Sequence, residues 1–194
     1  MGGLEESAMD GKSGNIRNLA YEKLIRELSR ENTNRVIENS NPEHARVVIS
    51  EILNRAINEV NIVTDRFDER FYRELEPRLL LFFEEGKKMR ILTYSAERNS
   101  LLLRLKRLYP NQIEIRTIPD SIKEKLFIHD ERNEKEGSYI NFIIDDTSGV
   151  RYEVFENIGE DATLALVNFG DQEFHDILKR VFEDVWKEAG GTPQ

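Results

Sequence analysis

Apolar residues recur at helical spacing in the first part of the chain and predict two helices there. One stripe starts after Asn15 and ends near Asn32. A second starts at Asn41, which is a candidate N-cap because Pro42 follows it at the first helical position. Between these helices, residues 33–40 form a short extended piece.

Two further helices follow, and both carry recognisable end signals. Residues 68–86 have helical spacing, with Pro77 expected to kink or restart the helix and Gly86 suited to its carboxyl end. Residues 171–190 have the most regular apolar stripe in the chain, and Asp171 is a candidate N-cap. A shorter helix is predicted between these two, ended by Pro110.

Short apolar runs between these helices predict strands. Strands alternate with helices up to Ile118, and three strands then follow in succession. Alternation of this kind is typical of a parallel sheet covered by helices, whereas successive strands indicate antiparallel additions. The pattern therefore predicts an α/β fold with a mixed sheet, helices on both faces and a C-terminal helix. The predicted strands are 60–65, 89–95, 112–118, 138–145, 150–156 and 162–169.

Length and local composition divide the chain into three parts. A chain of 194 residues is long enough for one compact domain. Residues 1–14 are rich in Gly and Ser without an apolar period, and we interpret them as a disordered tail or a vector-derived remnant. Residues 15–32 form the N-terminal helix, and residues 33–190 form the domain.

Composition limits the chemistry and the partners. Cysteine is absent, which excludes a thiolate nucleophile, a disulfide framework and a cysteine zinc site. The 28 basic and 37 acidic residues give a net charge of −9, which disfavours nucleic acid and anionic membranes as partners. Apolar runs such as Leu79 to Phe83 are far shorter than the roughly 20 residues that span a bilayer. We therefore expect a cytoplasmic protein that does not bind membranes.

Three stretches carry a resemblance to a known family. "KKMRILT" follows a helix that ends in Gly86, "INFIIDD" leads into a hairpin, and "ALVNFGDQEFHDILKRVFEDVWKEA" closes the chain. Together with the order of elements, they resemble one half of the phospholipase D superfamily over about residues 33–189. The resemblance implies the phospholipase D-like mixed sheet as the fold.

Active members of that superfamily share the motif H-x-K-x4-D. The resemblance implies that the His attacks phosphorus, the Lys holds phosphate oxygens and the Asp fixes the geometry around them. In register with this motif, Tyr139 stands at the His position, Asn141 at the Lys position, and Asp146 alone matches. The G-S-x-N that usually follows is also absent, and "VRYEVFE" stands in its place.

These replacements remove the groups that the reaction needs. The attacking group must be partly unprotonated near neutral pH, and a cation must stabilise the developing negative charge. A phenol has a pKa near 10 and an amide carries no charge, so Tyr139 and Asn141 meet neither requirement. The stretch from Ser138 to Asp146 therefore predicts a strand in the place of the catalytic strand that lacks the reactive groups. We assign no catalytic residue. As an ordinary core strand, it would place Tyr139 and Asn141 on the face opposite Ile140 and Phe142.

Other candidate residues have simpler interpretations. His129 could replace the nucleophile, but "HDERNEKEGS" is typical of a solvent loop. His44 and His175 lie among polar neighbours on helices, and we expect both at the surface. Asp145 and Asp146 lack a third ligand at a suitable spacing, so we predict a turn-forming role and no metal site. The basic stretch Arg104–Pro110 is interpreted as a solvated helix face.

The placement that the resemblance implies leaves one polar pocket as a candidate site. Ligands of open α/β sheets gather at the carboxyl ends of the parallel strands, where the sequence places Thr93. We expect this vestigial pocket to hold a small ligand or a phosphate without cleaving it, and no cofactor is indicated. Its expected residues are Thr93, Tyr94, Ser95, Tyr139, Asn141, Asp146, Arg151 and Glu153.

Three functions from different classes remain open at this stage. The leading hypothesis is a non-catalytic phospholipase D-like module that senses a ligand or mediates protein assembly in a regulatory or defence system. The alternatives are a phosphodiesterase or nuclease with an unorthodox site, and a DNA-binding regulatory module. Because the chain holds one half of the fold, the resemblance also implies a two-fold homodimer, with a protein effector or a small ligand as a further partner.

Overall fold

A computed structural model describes residues 6–39, 41–65, 67–95, 100–130, 133–155 and 164–190. The helices are α1 (Glu6–Arg30), α2 (Pro42–Arg55), α3 (Glu69–Glu74), α4 (Glu76–Glu84), α5 (Ser100–Leu108), α6 (Asp120–Lys123) and α7 (Gln172–Ala189). The strands are β1 (Ile37–Asn39), β2 (Glu59–Thr64), β3 (Lys88–Thr93), β4 (Ile113–Thr117), β5 (Phe127–Asp130), β6 (Asn133–Tyr139), β7 (Asn141–Asp145), β8 (Val150–Phe155) and β9 (Leu164–Asn168).

The main sheet is mixed, as the pattern of elements predicts. It has seven strands in the order β1-β9-β8-β7-β2-β3-β4. Strands β2, β3 and β4 pair in parallel, with β3 between the other two. All other neighbours are antiparallel, including β7 against β2. The carboxyl ends of β2, β3 and β4 therefore meet at the edge of the sheet where β7 begins.

Helices cover the two faces of this sheet with two separate apolar clusters. On one face, helices α1 to α5 enclose a core that includes Ile52, Ile62, Leu79, Ile91 and Ile143. On the other face, α6 and α7 enclose a core that includes Leu92, Phe142, Ile144, Phe182 and Trp186. We call these the α2 face and the α7 face. Successive residues of β7 alternate between them, as a pleated strand requires.

The predicted helix signals are confirmed. The Asn41 side chain accepts a hydrogen bond from the His44 N–H at 2.8 Å, and Asp171 accepts one from the Phe174 N–H at 3.0 Å. Pro77 lies in the first turn of α4 and separates it from α3. Gly86 adopts a φ of 81°, a left-handed conformation that favours glycine.

Helix α7 is held on its face by aromatic rings and two arginines. Trp186 stacks on Phe182, and both rings are buried. The Arg116 guanidinium lies 4.1 Å from the Trp186 ring, and Arg90 lies over Phe182 at 4.9 Å. Both arginines project from the sheet beneath, so cation–π contacts reinforce the apolar packing.

The structure departs from the predicted elements in three places. The stretch interpreted as a solvent loop contains β5 and β6, which form a separate two-stranded sheet. The strand predicted over 138–145 is divided at Ile140, whose N–H donates to the Leu126 carbonyl at 2.9 Å. Helix α1 begins at Glu6 rather than at Asn15. The charged hairpin was missed because alternation of charged residues carries no apolar period.

Candidate functional site

One polar row crosses the main sheet where β7 begins. In-register pairing aligns one residue from each strand, and residues aligned in this way project from the same face. The row lies on the α2 face, because Asn141 is two residues before Ile143 of that core. We call these residues the polar row: Asn39, Ala165, Glu153, Asn141, Thr64, Thr93 and Thr117.

Asn141, interpreted from the sequence as the residue in place of the motif lysine, makes a structural contact. Its side chain is 4% exposed, and its Oδ1 accepts a hydrogen bond from the Asp65 N–H at 2.8 Å. Asp65 directly follows β2, so this bond ties the end of β2 to the start of β7. A neutral amide in this position cannot supply the charge that a lysine would supply.

Tyr139, interpreted from the sequence as the residue in place of the motif histidine, lies on the other face of the sheet. Its ring stacks on Tyr94 with centroids 4.2 Å apart, and it packs against the α7 core. The Tyr94 hydroxyl donates to the Ile140 carbonyl at 2.9 Å, and burial raises the pKa of Tyr94 above its usual range. The expectation that Tyr139 shares a face with Asn141 is therefore wrong, because the break at Ile140 interrupts strand alternation.

Arg151 is the buried cation beside the row, and its charge is balanced. Its side chain is 7% exposed, and its Nη1 donates to Glu153 at 2.5 Å. Its Nε donates to the Asn39 Oδ1 at 3.0 Å. The small side chain of Ala165 lies between Asn39 and Glu153 in the row. The guanidinium thus links two row residues, and the pair with Glu153 has no net charge.

Thr93 lies at the far side of the row and does not reach Arg151. It is 1% exposed, and its Oγ1 has no hydrogen-bond partner among the described residues. Three strand spacings separate β3 from β8, which carries Arg151, or about 14 Å at about 4.8 Å per strand. Ser95 is exposed beyond the end of β3. The eight residues expected in one pocket are therefore spread over two faces of the sheet, over the four adjacent strands from β8 to β3, and over both ends of β7.

Asp146 lies at the opposite end of β7 from Asn141. Its Oδ1 accepts a hydrogen bond from the Ile57 N–H, and its Oδ2 accepts one from the Asn58 N–H, both at 2.8 Å. Asp145 accepts bonds from the N–H groups of Thr147 and Gly149 within the turn. The turn-forming role predicted for this acidic pair is confirmed for Asp145, whereas Asp146 binds the backbone between α2 and β2.

Arg55 organises this end of β7, and its place as a basic residue in the last turn of α2 is the one local signal that could have marked it. Its Nε lies 3.2 Å from the Asp145 Oδ2, and the carboxylate side chain is fully buried. Its other nitrogens donate to the Ser29 carbonyl at 2.7 Å and to the Thr147 hydroxyl at 2.8 Å. The guanidinium therefore joins α1, α2 and the turn between β7 and β8.

Two histidines, His44 and His175, differ from the surface placement expected from their neighbours. His175 is 2% exposed, and its Nε2 lies 2.7 Å from the Asp145 carbonyl oxygen, so that expectation is wrong. His44 is half-buried, with its ring stacked on Tyr21 at 3.6 Å. The His129 side chain lies outside the described residues. Helical spacing predicts an apolar stripe but does not reveal a polar residue that closes a contact across elements.

No three His, Asp or Glu side chains in the described ranges are grouped as metal ligands. Across those same ranges, no helix combines the length and the apolar character required to cross a membrane.

An open groove of about 670 Å³ lies at the amino ends of β2 and β3, at the edge opposite the polar row. It is lined by residues of both charges, including Lys88, Glu59 and Glu183.

Comparison with solved structures identifies the fold. Nuc from Salmonella typhimurium, a phospholipase D family member, aligns with a TM-score of 0.54 and 16% identity over 79% of this chain and 94% of its own. NucT from Helicobacter pylori aligns with a TM-score of 0.53 and 14% identity over 79% of this chain and 96% of its own. The fold is that of the phospholipase D superfamily. The resemblance noted in the sequence is thereby confirmed at the level of the fold.

An archaeal chromatin protein aligns over more of the chain. TrmBL2, whose structure shows a mode of DNA binding, has a TM-score of 0.54 and 18% identity. The alignment covers 95% of this chain, and this chain spans 66% of the TrmBL2 chain. No protein-family model and no curated protein matches the sequence. At these identities, the phospholipase D fold is what the similarity establishes.

Proposed function

We propose that this chain is a non-catalytic module with the phospholipase D fold that senses a small ligand in a regulatory system. The observation that carries the proposal is the separation of the two motif positions. The Asn141 side chain lies on the α2 face and bonds to the Asp65 N–H, whereas the Tyr139 ring lies on the α7 face. A nucleophile and a cation must converge on one phosphorus, and these two side chains do not converge.

The surroundings of the two positions support the same conclusion. The Arg151 charge is balanced by Glu153, and the Tyr139 ring is packed against Tyr94 and Phe127. Buried polar side chains nevertheless remain along the row, among them Asn39 and Thr93. A polar site without a nucleophile fits binding better than turnover.

The proposal is tested with a generic phosphodiester, bis(4-nitrophenyl) phosphate. We expect the purified protein to release nitrophenol no faster than buffer. The variant that combines Tyr139→His with Asn141→Lys is expected to remain inactive while folded, because the two side chains lie on opposite faces. Circular dichroism checks that the variant is folded. Turnover that persists through repurification and disappears in Tyr139→Phe would instead support the phosphodiesterase alternative.

A DNA-binding regulatory role is the second candidate, and the extent of the TrmBL2 alignment favours it. Coverage of 95% leaves about ten of the 194 residues unmatched, which is fewer than the 25 residues of α1. The alignment therefore includes most of α1, in addition to the sheet. A net charge of −9 opposes direct contact with a duplex. Duplex binding that weakens steeply between 50 and 200 mM salt would support this role, on the scale of about tenfold or more.

The two-fold homodimer stays a prediction that accompanies either role. Light scattering on the full chain checks it at micromolar concentration. A mass that stays near 22.7 kDa as the protein is concentrated would contradict it.

A further inference from the structure

The two edges of the main sheet differ in what they offer to a partner. One edge is β1, which is three residues long, and the other is β4, which is five residues long. Strand β4 pairs with β3 alone among the described strands, whereas β7 lies inside the sheet between β2 and β8. The longer strand that is available for a further backbone ladder is therefore β4.

The ladder between β3 and β4 shows which backbone groups of β4 point outwards. The Met89 N–H donates to the Gln112 carbonyl at 2.7 Å. Further along, the Ile118 N–H donates to the Thr93 carbonyl at 2.8 Å. Even-numbered residues of β4 therefore bond to β3, because alternate residues of a strand direct their N–H and C=O groups to opposite sides. The N–H and the carbonyl of Ile115 consequently point away from β3, and no described residue bonds to either group.

The sequence of β4 does little to block this edge. Natural sheets block exposed edges with proline, bulges or charged side chains. Strand β4 contains no proline, and its register with β3 runs without a bulge. Its two charged side chains, Glu114 and Arg116, have opposite signs. Their effect on a second strand therefore depends on the charges of that strand.

The charges of β4 are complementary to the same strand run in reverse. Glu114 and Arg116 lie on either side of Ile115 and project from the α7 face. If a second β4 pairs antiparallel and centred on Ile115, each Glu114 faces the Arg116 of the other copy. In a parallel, in-register pair, like charges would face each other, which is destabilising. The strand therefore favours its own copy in one orientation.

Arg116 is already held in position for this contact. Its Nη1 donates to the Trp186 carbonyl at 2.7 Å, and its guanidinium lies 4.1 Å from the centroid of the Trp186 ring. Its Nε donates to Glu114 of the same chain at 2.9 Å, and the Glu114 side chain is 55% exposed. An exposed carboxylate beside a fixed guanidinium can be shared between two copies at little ordering cost.

Helix α5 contacts β4 and carries an apolar stripe that runs past the core. Leu101 and Leu105 are 3% and 1% exposed, whereas Leu108, one turn further along the same stripe, is 61% exposed. Paired edge strands alone bury less area than a stable interface needs. A two-fold axis perpendicular to the sheet would bring the α5 helices of two copies together on the α2 face, where Leu108 adds apolar contact.

We propose that β4 docks on the β4 of a second copy of this chain, antiparallel about a two-fold axis at Ile115, so that the two main sheets form one continuous sheet. The two Ile115 residues exchange N–H···O bonds, and Glu114 of each copy pairs with Arg116 of the other. This interface goes beyond the ligand-sensing role, since it names a partner and the strand that binds it. Because the pairing uses the β4 edge of both copies, the assembly closes as a dimer.

Amide hydrogen exchange measured by nuclear magnetic resonance tests the backbone pairing residue by residue. The Ile115 amide points outwards in a single copy, so its exchange should be about tenfold or more slower in the dimer than in dilute, monomeric protein. The amides of Glu114 and Arg116 bond to β3 in both states and serve as internal controls. An Ile115 amide that exchanges freely at every concentration overturns the proposal.

Charge reversal tests the side-chain pairing. Glu114→Arg sets two arginines against each other on both sides of the two-fold axis. We expect the dimer dissociation constant, measured by sedimentation velocity, to rise about tenfold or more. Glu38→Arg is the matched control, because it makes the same charge change at an exposed position on β1, the opposite edge. It should change the dissociation constant by less than about twofold.

Two outcomes of the sedimentation measurement contradict the proposal. They are a wild-type mass that stays near 22.7 kDa as the protein is concentrated, and equal dissociation constants for the two variants. If circular dichroism shows that Glu114→Arg is unfolded, exchange at Ile115 in the wild type decides. An Ile115 amide that becomes protected only when another protein is added would assign the edge to a different strand and reject the second copy. Phosphodiester turnover decides the non-catalytic role separately.

Discussion

The two ends of β7 carry similar numbers of polar side chains but use them differently. At the carboxyl end, Asp145 and Asp146 accept bonds from Arg55 and from the backbone N–H groups of the adjoining turn and of Ile57 and Asn58. At the amino end, Asn141 makes one bond to the Asp65 N–H, and the buried Thr93 hydroxyl of the same row has no hydrogen-bond partner in the described part of the chain. We call these the closed end and the open end.

The difference separates architecture from chemistry within one strand. Asp146, the one residue that matches the family motif, lies at the closed end and holds backbone groups. The two positions that would carry out the chemistry lie at the open end, where their side chains project from opposite faces. A motif match in sequence therefore reports the strand that builds the fold and does not by itself report a reaction.

The largest expected effect comes from opening the closed end. Arg55→Ala removes the partner of the buried Asp145 carboxylate and should lower the free energy of unfolding by about 3–5 kcal/mol. Urea unfolding followed by circular dichroism measures this loss. Arg30→Ala is the matched control, because Arg30 pairs only at the exposed surface with Glu31. Equal losses of unfolding free energy in Arg55→Ala and Arg30→Ala would contradict the distinction between the closed end and the open end.

His175 tests the closed end with a smaller expected loss of unfolding free energy. His175→Leu keeps a side chain of similar size but replaces the imidazole with an apolar group, which removes the contact with the Asp145 carbonyl. We expect a loss of about 1–3 kcal/mol, because a buried polar group is left without its partner. Glu173→Ala, at an exposed position on the same helix, is the control for α7. If the urea midpoint of His175→Leu matched that of the wild type, the ring would not be part of the closed end.

Asn141 tests the open end. Asn141→Ala removes one hydrogen bond to the Asp65 N–H and should cost about 1 kcal/mol, several-fold less than Arg55→Ala. The same urea measurement applies, with Asn111→Ala in an exposed turn as the control. A loss as large as that of Arg55→Ala would show that the open end is as tightly built as the closed one.

The smallest effect concerns pH at the packing site of α1. Burial lowers the pKa of His44 below its ordinary value of 6.5, and the nearby Glu43 charge partly opposes this. Below about pH 6.5, the unfolded chain therefore binds more protons at this residue than the folded chain does, so acid destabilises the fold. The contribution is present above pH 6.5 and is lost as the pH falls towards the folded-state pKa.

His44→Phe isolates this contribution, since it keeps a ring against Tyr21 without a titrating group. Urea midpoints at pH 7.5 and pH 5.5 should fall further in the wild type than in the variant. The wild type and the variant share all other titrating groups. The difference between their two falls in urea midpoint therefore reports the titration of residue 44. A larger fall of the urea midpoint in His44→Phe than in the wild type would contradict the lowered pKa of His44.

Local signals in the sequence were sufficient for most of the fold. The Asn41 and Asp171 caps, the restart at Pro77 and the left-handed Gly86 were all predicted, because each depends on a residue and its immediate neighbours. The alternation of strands and helices likewise predicted the mixed sheet and the phospholipase D fold. That Tyr139 and Asn141 replace a motif histidine and lysine stays a prediction from the resemblance.

Tertiary structure alone decided how the polar residues are used. A single break at Ile140 moved Tyr139 to the α7 face, and no local pattern predicts a break that depends on a bond to Leu126. Arg55 reaches Asp145 across 90 residues of chain, and Tyr21 meets Asn39 and Arg151 because α1 packs on the sheet edge. Periodicity predicts which side of an element is buried. It does not predict which polar side chain from a distant element will be buried against it, because that depends on how the elements pack.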